Sequence, residues 1–157
     1  MGLRLAMGAA LAVWLAGLET AAAQVRIDVD LRAQRMHVSA GGNANFDWPI
    51  SSGMSGHETP RGTFAPYAFY KMIYSWKYGN EPMPFTIFFR GNYAIHGSRE
   101  TDALGHPASH GCVRLAPENA ELLYNLAQRE GAAIHIDGTP PPAPFPPPPR
   151  FANHGGL

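Results

Sequence analysis

A chain of 157 residues, 45% apolar and 15% charged, has room for one hydrophobic core, and its 12 basic and 12 acidic side chains cancel. That neutral balance excludes the electrostatic footprint of a nucleic-acid partner, while 17 glycines and 15 prolines favour short strands and many turns. Its single cysteine, Cys112, excludes any intrachain disulfide framework.

The chain opens on a short positive start, Met1 to Arg4, followed by an apolar run from Leu5 to Leu18 and by Ala21-Ala22-Ala23 before Gln24. This is the three-part layout of a secretory signal peptide over residues 1–23. The run falls short of the ~20 apolar residues of a bilayer-spanning helix, and no second such run follows. The mature chain is therefore expected to be exported, with no integral membrane segment. Export usually means an oxidising compartment, where structural cysteines come in pairs, so a lone thiol points to chemistry.

Val25, Ile27, Val29 and Leu31 alternate with Arg26, Asp28, Asp30 and Arg32, the period of a strand with one buried face. Met36 to Ser39 reads as its antiparallel return, and Gly41-Gly42-Asn43 as a turn into Phe46 to Ser51. Ser52 to Gly62 reads as a surface loop, with Thr59-Pro60-Arg61-Gly62-Thr63-Phe64 a rigid turn into the next strand. Ala68 to Trp76, rich in aromatics, is expected to be an extended and largely buried strand, with Tyr74, Trp76 and Phe85 also candidates for a substrate cleft. Tyr78 to Pro84 is expected to break it. Phe85 to Phe89 and Tyr93 to His96 then form a hairpin around Arg90-Gly91-Asn92, leaving His96 at a strand's end.

Pro117 suits the first position of a helix, Gly131 its stop, and Leu122, Leu123, Leu126 and Ala127 its buried stripe, which predicts a helix from Pro117 to Glu130. Ala132 to Ile136 is a last strand. The domain is read as residues 24–138, followed by a proline-rich tail over residues 139–157 without a core of its own.

The chemistry concentrates in Ser109-His110-Gly111-Cys112-Val113-Arg114-Leu115. A free thiol is mostly protonated at neutral pH, so Cys112 needs a histidine partner. His110, two residues away on an extended segment, is one candidate. His96, arriving from a separate strand with the Gly97 carbonyl to hold its other ring nitrogen, is preferred as the base. Gly111, lacking a side chain, lets a carbonyl approach the backbone N–H groups of Gly111 and Cys112. The competing reading is a zinc site on His106, His110, Cys112 and His96. No paired-cysteine motif supports it, and no acidic residue stands beside the run, so the site is read as free of metal and cofactor. His37, His57, His135 and His154 lack such company and are read as surface or edge residues.

Ile95-His96-Gly97, Gly105 and the run from Ser109 to Leu115, backed by Thr59 to Phe64 and by the strand start at Ile27 to Leu31, resemble the L,D-transpeptidase catalytic domain of bacterial cell-wall enzymes. The order His then Cys argues against papain-like cell-wall peptidases, in which the nucleophile comes first. The resemblance implies a mainly β fold, a sandwich or capped barrel with one helix after the Cys loop. It also implies ping-pong acyl transfer. Cys112 would attack the carbonyl at the L-centre of the third residue of a peptidoglycan tetrapeptide stem, expel D-alanine and pass the acyl group to an amine. His96 would act as base and acid, Gly97 would orient it, and the loop around Gly111 would hold the oxyanion. Ser109 and His110 would support the loop, and Arg114 would steady it or pair with a substrate carboxylate. The acceptor implied is another stem, an outer-membrane protein, or water in a carboxypeptidase or tether peptidase, all in the periplasm. A non-catalytic wall-binding module is the remaining alternative.

Overall fold

The structure, a computed structural model, describes residues 24–142. The signal-peptide reading of residues 1–23 and nearly all of the tail, His154 included, lie outside the described residues. Among the described residues nine strands form two sheets around an apolar cluster, with one α-helix against it. The mainly β class, with its helix after the Cys loop, is the one expected.

The first sheet grows from the alternating segment. β1 (Val25–Asp30) buries Val25, Ile27 and Val29 and pairs antiparallel with β2 (Arg35–Ala40), which pairs in turn with β3 (Ala44–Pro49). The turn between β1 and β2 is held by Gln34, a buried amide at φ 52° that donates to the Leu31 carbonyl (2.6 Å) and to Ser52 Oγ (2.7 Å) and accepts from the Ser52 N–H (3.0 Å). A buried side chain with each of those groups satisfied fixes a turn that polarity alone would place at the surface. The short β4 (Gly62–Phe64) follows the loop, and the final strand β9 (Ala132–Asp137) inserts between β1 and β4, parallel to the former, giving the order β3-β2-β1-β9-β4.

The second sheet runs β5 (Ala68–Ser75), β6 (Glu81–Arg90), β7 (Tyr93–Gly97) and β8 (Val113–Leu115) in that order. Two expectations fail here. β5 is extended but not largely buried: Tyr70, Met72 and Tyr74 are about half exposed and Trp76, just past its end, is 91% exposed. Among the described residues β5 is an edge strand and no layer covers this row. The interruption at Tyr78 to Pro84 is also shorter than expected. A 3-10 turn (Trp76–Tyr78) and Gly79-Asn80 make the hairpin tip, and β6 already begins at Glu81 and runs through Pro82 and Pro84. Those prolines pair with β5 alone, since β7 reaches β6 only from Ile87 onward, so the missing N–H groups face no partner strand. Phe85, at φ 53°, kinks the strand just after them.

The helix α1 (Pro117–Glu130) begins at its proline and stops at Gly131, φ 71°. Its buried stripe is Ala120, Leu123, Tyr124, Leu126 and Ala127; Leu122, expected in that stripe, is exposed, and Tyr124 fills the place against Phe69 and Phe85. The helix sits on β6 and β7, behind the strand that carries His96. Gly97 makes this approach fit: a Cβ there would stand 3.0 Å from Pro84 Cγ and 3.1 Å from Pro117 Cα. No helix among the described residues is long and apolar enough to cross a membrane.

Candidate active site

β7 and β8 run parallel with Ile95 level with Val113 and His96 level with Arg114. Continuing that register places Cys112 beside Ala94, and residues two apart on a strand share a face. His96, Cys112 and Arg114 accordingly line one cleft of about 710 Å³, together with Asn92, Glu81 and the hairpin tip at Trp76, Lys77 and Tyr78. Cys112 stands in the loop one residue before β8, in the cleft that His96 lines from β7.

His96 is 3% exposed, and its Nδ1 lies 2.8 Å from the Gly97 carbonyl oxygen. A carbonyl only accepts, so Nδ1 carries the proton and the neutral ring keeps its Nε2 lone pair as a base. Burial, aided by the Arg114 charge and opposed by the Gly97 hydrogen bond, holds the ring's pKa down at about 4. Burial also pushes the Cys112 thiol above its usual range, against a lowering hydrogen bond from the Ala94 backbone and the Arg114 charge. The thiol donates to the Asn92 carbonyl at 3.8 Å and is not hydrogen-bonded to His96. The resting pair is therefore a neutral thiol and a neutral imidazole. The dry floor of the cleft disfavours both charges.

The loop around the sulfur is tied from within. Ser109, buried, donates its hydroxyl to the Cys112 carbonyl (2.6 Å) and accepts the Gly111 N–H (3.1 Å). Thr59 donates to the Gly111 carbonyl (2.9 Å) and accepts the Gly53 N–H (2.9 Å), so the motif at Thr59-Pro60-Arg61-Gly62 braces the catalytic loop as well as turning the chain. Gly111 has φ 114°, and a Cβ on it would meet the Tyr93 ring at 2.5 Å, which is why no other residue fits. Because its N–H already serves Ser109, it is not a free oxyanion donor; the amide of Cys112 is the donor left to consider.

Arg114 is buried, and its two terminal nitrogens are taken by carboxylates: one lies 3.1 Å from both oxygens of Glu81, the other 2.6 Å from Glu100. Of the two roles left open for it, this arrangement favours the structural one, joining β8 to the start of β6 and to the loop after β7. Its Nε is buried without a partner. His110 stacks on Tyr78 of the hairpin tip (4.3 Å between ring centroids) and meets His57 edge-on (4.7 Å). His57 thus has company after all, brought from the Ser52–Gly62 loop, which local sequence reading had set apart. His106 is exposed, and no group of three or more His, Cys, Asp or Glu among the described residues is placed to hold a metal ion.

Sequence reasoning missed Glu81, Glu100 and Asn92. An acid between a turn and two prolines is the one local hint Glu81 offers; its pairing with a residue 33 positions away is not a local signal.

Comparison with known proteins agrees with this layout. A family model described as the YkuD L,D-transpeptidase catalytic domain matches residues 24–143. YciB of Bacillus subtilis (strain 168), which carries the name of an L,D-transpeptidase, is 29% identical over 116 residues, 64% of this chain and 59% of its own. Among solved structures, an L,D-transpeptidase from Stackebrandtia nassauensis superposes with a TM-score of 0.66 at 26% identity, covering 75% of this chain and 57% of that one. One from Mycobacterium smegmatis does so with 0.66 at 25% identity, covering 74% and 59%. The chain thus spans somewhat under six tenths of the length of these relatives.

Proposed function

The chain belongs to the YkuD family of L,D-transpeptidase catalytic domains, and from that premise we propose that it is a peptidoglycan L,D-transpeptidase with Cys112 as nucleophile and His96 as the proton carrier. The supporting observation is a lone thiol just before β8 and, on the neighbouring β7, a buried imidazole with a free Nε2 lone pair, both lining one cleft.

In the first half-reaction the thiol proton passes to His96 Nε2 as the sulfur bonds to the carbonyl carbon at the L-centre of the third stem residue. The developing oxyanion takes the Cys112 amide. The C–N bond then breaks, and the imidazolium returns its proton to the departing amine of D-alanine, leaving a thioester. An acceptor amine attacks that thioester, giving its proton to His96; the C–S bond breaks and the sulfur recovers the proton. Because burial disfavours the imidazolium, its charge lasts only as long as the tetrahedral intermediate, which suits a group that must be acid and base in turn. The reaction belongs outside the cytoplasm, in the periplasm, with stem peptides as donors and a stem amine or an outer-membrane protein's amine as acceptor.

Intact mass after exposure to a carbapenem tests the reading, since family members of this type are acylated at the nucleophilic sulfur by such mimics. One adduct is expected, absent in Cys112→Ala. No adduct on the native chain, or an equal adduct on Cys112→Ala, overturns it. Incubation with disaccharide tetrapeptide and an amine is expected to yield a joined product; hydrolysed stem alone turns the reading to the carboxypeptidase or tether peptidase.

A further inference from the structure

Tyr70, Met72 and Tyr74 stand at every second position of β5, Trp76 continues the row onto the hairpin tip, and all four are at least about half exposed. Tyr67, 60% exposed, lies just before the strand. An edge strand usually hides or charges such a row, because unpaired backbone groups beside apolar side chains invite association. Here the charges on the strand and tip are two lysines, Lys71 and Lys77, with no acid from Ala68 to Tyr78. Tyr74 and Trp76 also line the cleft that holds Cys112, so the row runs directly out of the reaction site.

We propose that this row is a docking ribbon for the glycan strand that carries the donor stem. The inference rests on the reading of Cys112 as a peptidoglycan acyltransferase. A stem whose third residue lies at the sulfur remains bonded to its polysaccharide through its first two residues, a reach of about 7 Å when extended, so the polymer passes near the cleft mouth. A pyranose ring offers an apolar face of C–H groups and a rim of hydroxyls. Flat aromatic rings take the face, and the free backbone N–H and C=O groups of a sheet edge take the rim. From Tyr70 to Trp76 the chain covers about 20 Å at strand rise, the length of several linked sugars. The two lysines suit the carboxylates of neighbouring stems. A lipid surface is the less fitting occupant, because burying Trp76 and Tyr74 in it would press the cleft mouth against lipid and shut out a polymeric substrate.

The test uses the full chain carrying Cys112→Ala and a peptide-free hexamer of N-acetylglucosamine, followed by calorimetry and tryptophan fluorescence. Saturable binding is expected, weakened at least about tenfold by Trp76→Ala and several-fold by Tyr70→Ala, both at exposed positions where folding is not at stake. No binding, or binding indifferent to both substitutions, overturns the proposal. So does concentration-dependent dimerisation abolished by Trp76→Ala, which gives the row to a second copy, or co-sedimentation with phosphatidylglycerol vesicles, which gives it to a membrane. The carbapenem adduct on the native chain keeps the two claims apart. An adduct without glycan binding sinks the ribbon alone, and glycan binding without an adduct sinks the catalytic premise.

Discussion

The two sheets of this molecule obey different rules. In the five-stranded sheet, side chains alternate between core and water along β1 and β9, and Ile27, Ile134 and Ile136 are essentially unexposed. In the four-stranded sheet the edge strand is bare, two prolines lie inside β6, Phe85 takes a left-handed backbone, and an arginine, a histidine and a serine are buried around the sulfur. One sheet supplies apolar burial; the other spends part of its regularity on a cleft. Departures from local rules cluster where chemistry is expected, and the regular half makes them tolerable.

That division of labour can be broken most strongly at His96. His96→Asn keeps a donor for the Gly97 carbonyl but removes the base, so carbapenem acylation should slow by about 10²–10⁴-fold with little change in melting temperature. The mirror experiment is Ile134→Ala in the regular sheet, expected to cost about 3 kcal/mol in denaturant unfolding while acylation per folded molecule stays the same. If the second substitution also abolishes acylation in folded protein, the sheets are not separable.

Acid sharpens the same contrast. The His96 ring titrates at about 4 when folded and near its ordinary 6.5 when unfolded, so between those values the unfolded chain holds the extra proton. Its contribution to stability is complete above pH ~6.5 and is lost as pH falls through about 4, a swing of ~3 kcal/mol that His96→Asn should remove from a stability profile. A smaller effect is expected at Cys112. With its thiol pushed up by burial, alkylation by iodoacetamide at pH 7 should be slower than for a peptide thiol and should climb with pH beyond the usual thiol range. Fast alkylation at pH 6 would point instead to a thiolate held by a protonated His96. Smallest of all, Glu100→Ala, at the exposed end of the Arg114 clamp, should cost less than ~0.5 kcal/mol, because Glu81 still pairs the guanidinium.

Local pattern was enough for β1, for the helix between Pro117 and Gly131 and for the β6–β7 hairpin, because each is decided by residues within a few positions of one another. The site was legible as a list, Cys112, His96, Gly97 and the loop from Ser109, but not as a charge state. Whether an imidazole raises or shares a charge depends on how much water reaches it, and neither the depth of His96 nor the turn of the thiol toward Asn92 is written near those residues. The exposed face of β5 was misjudged for a related reason: aromatic content says that a segment needs a partner, and only the topology reveals that no protein layer supplies one. Gln34, Thr59 and His57 each act on residues at least 18 positions away, beyond any periodicity.

The placement of β9 has a consequence for how the molecule comes into being. β9, the last strand among the described residues, occupies an interior place in its sheet, paired with β1, Val25 level with Ala132. Until it arrives, the β1–β2 hairpin has one bare long edge and β4 has no partner, so this sheet closes only once the segment through Asp137 is available. Pairing strands so far apart in sequence raises the contact order and slows folding.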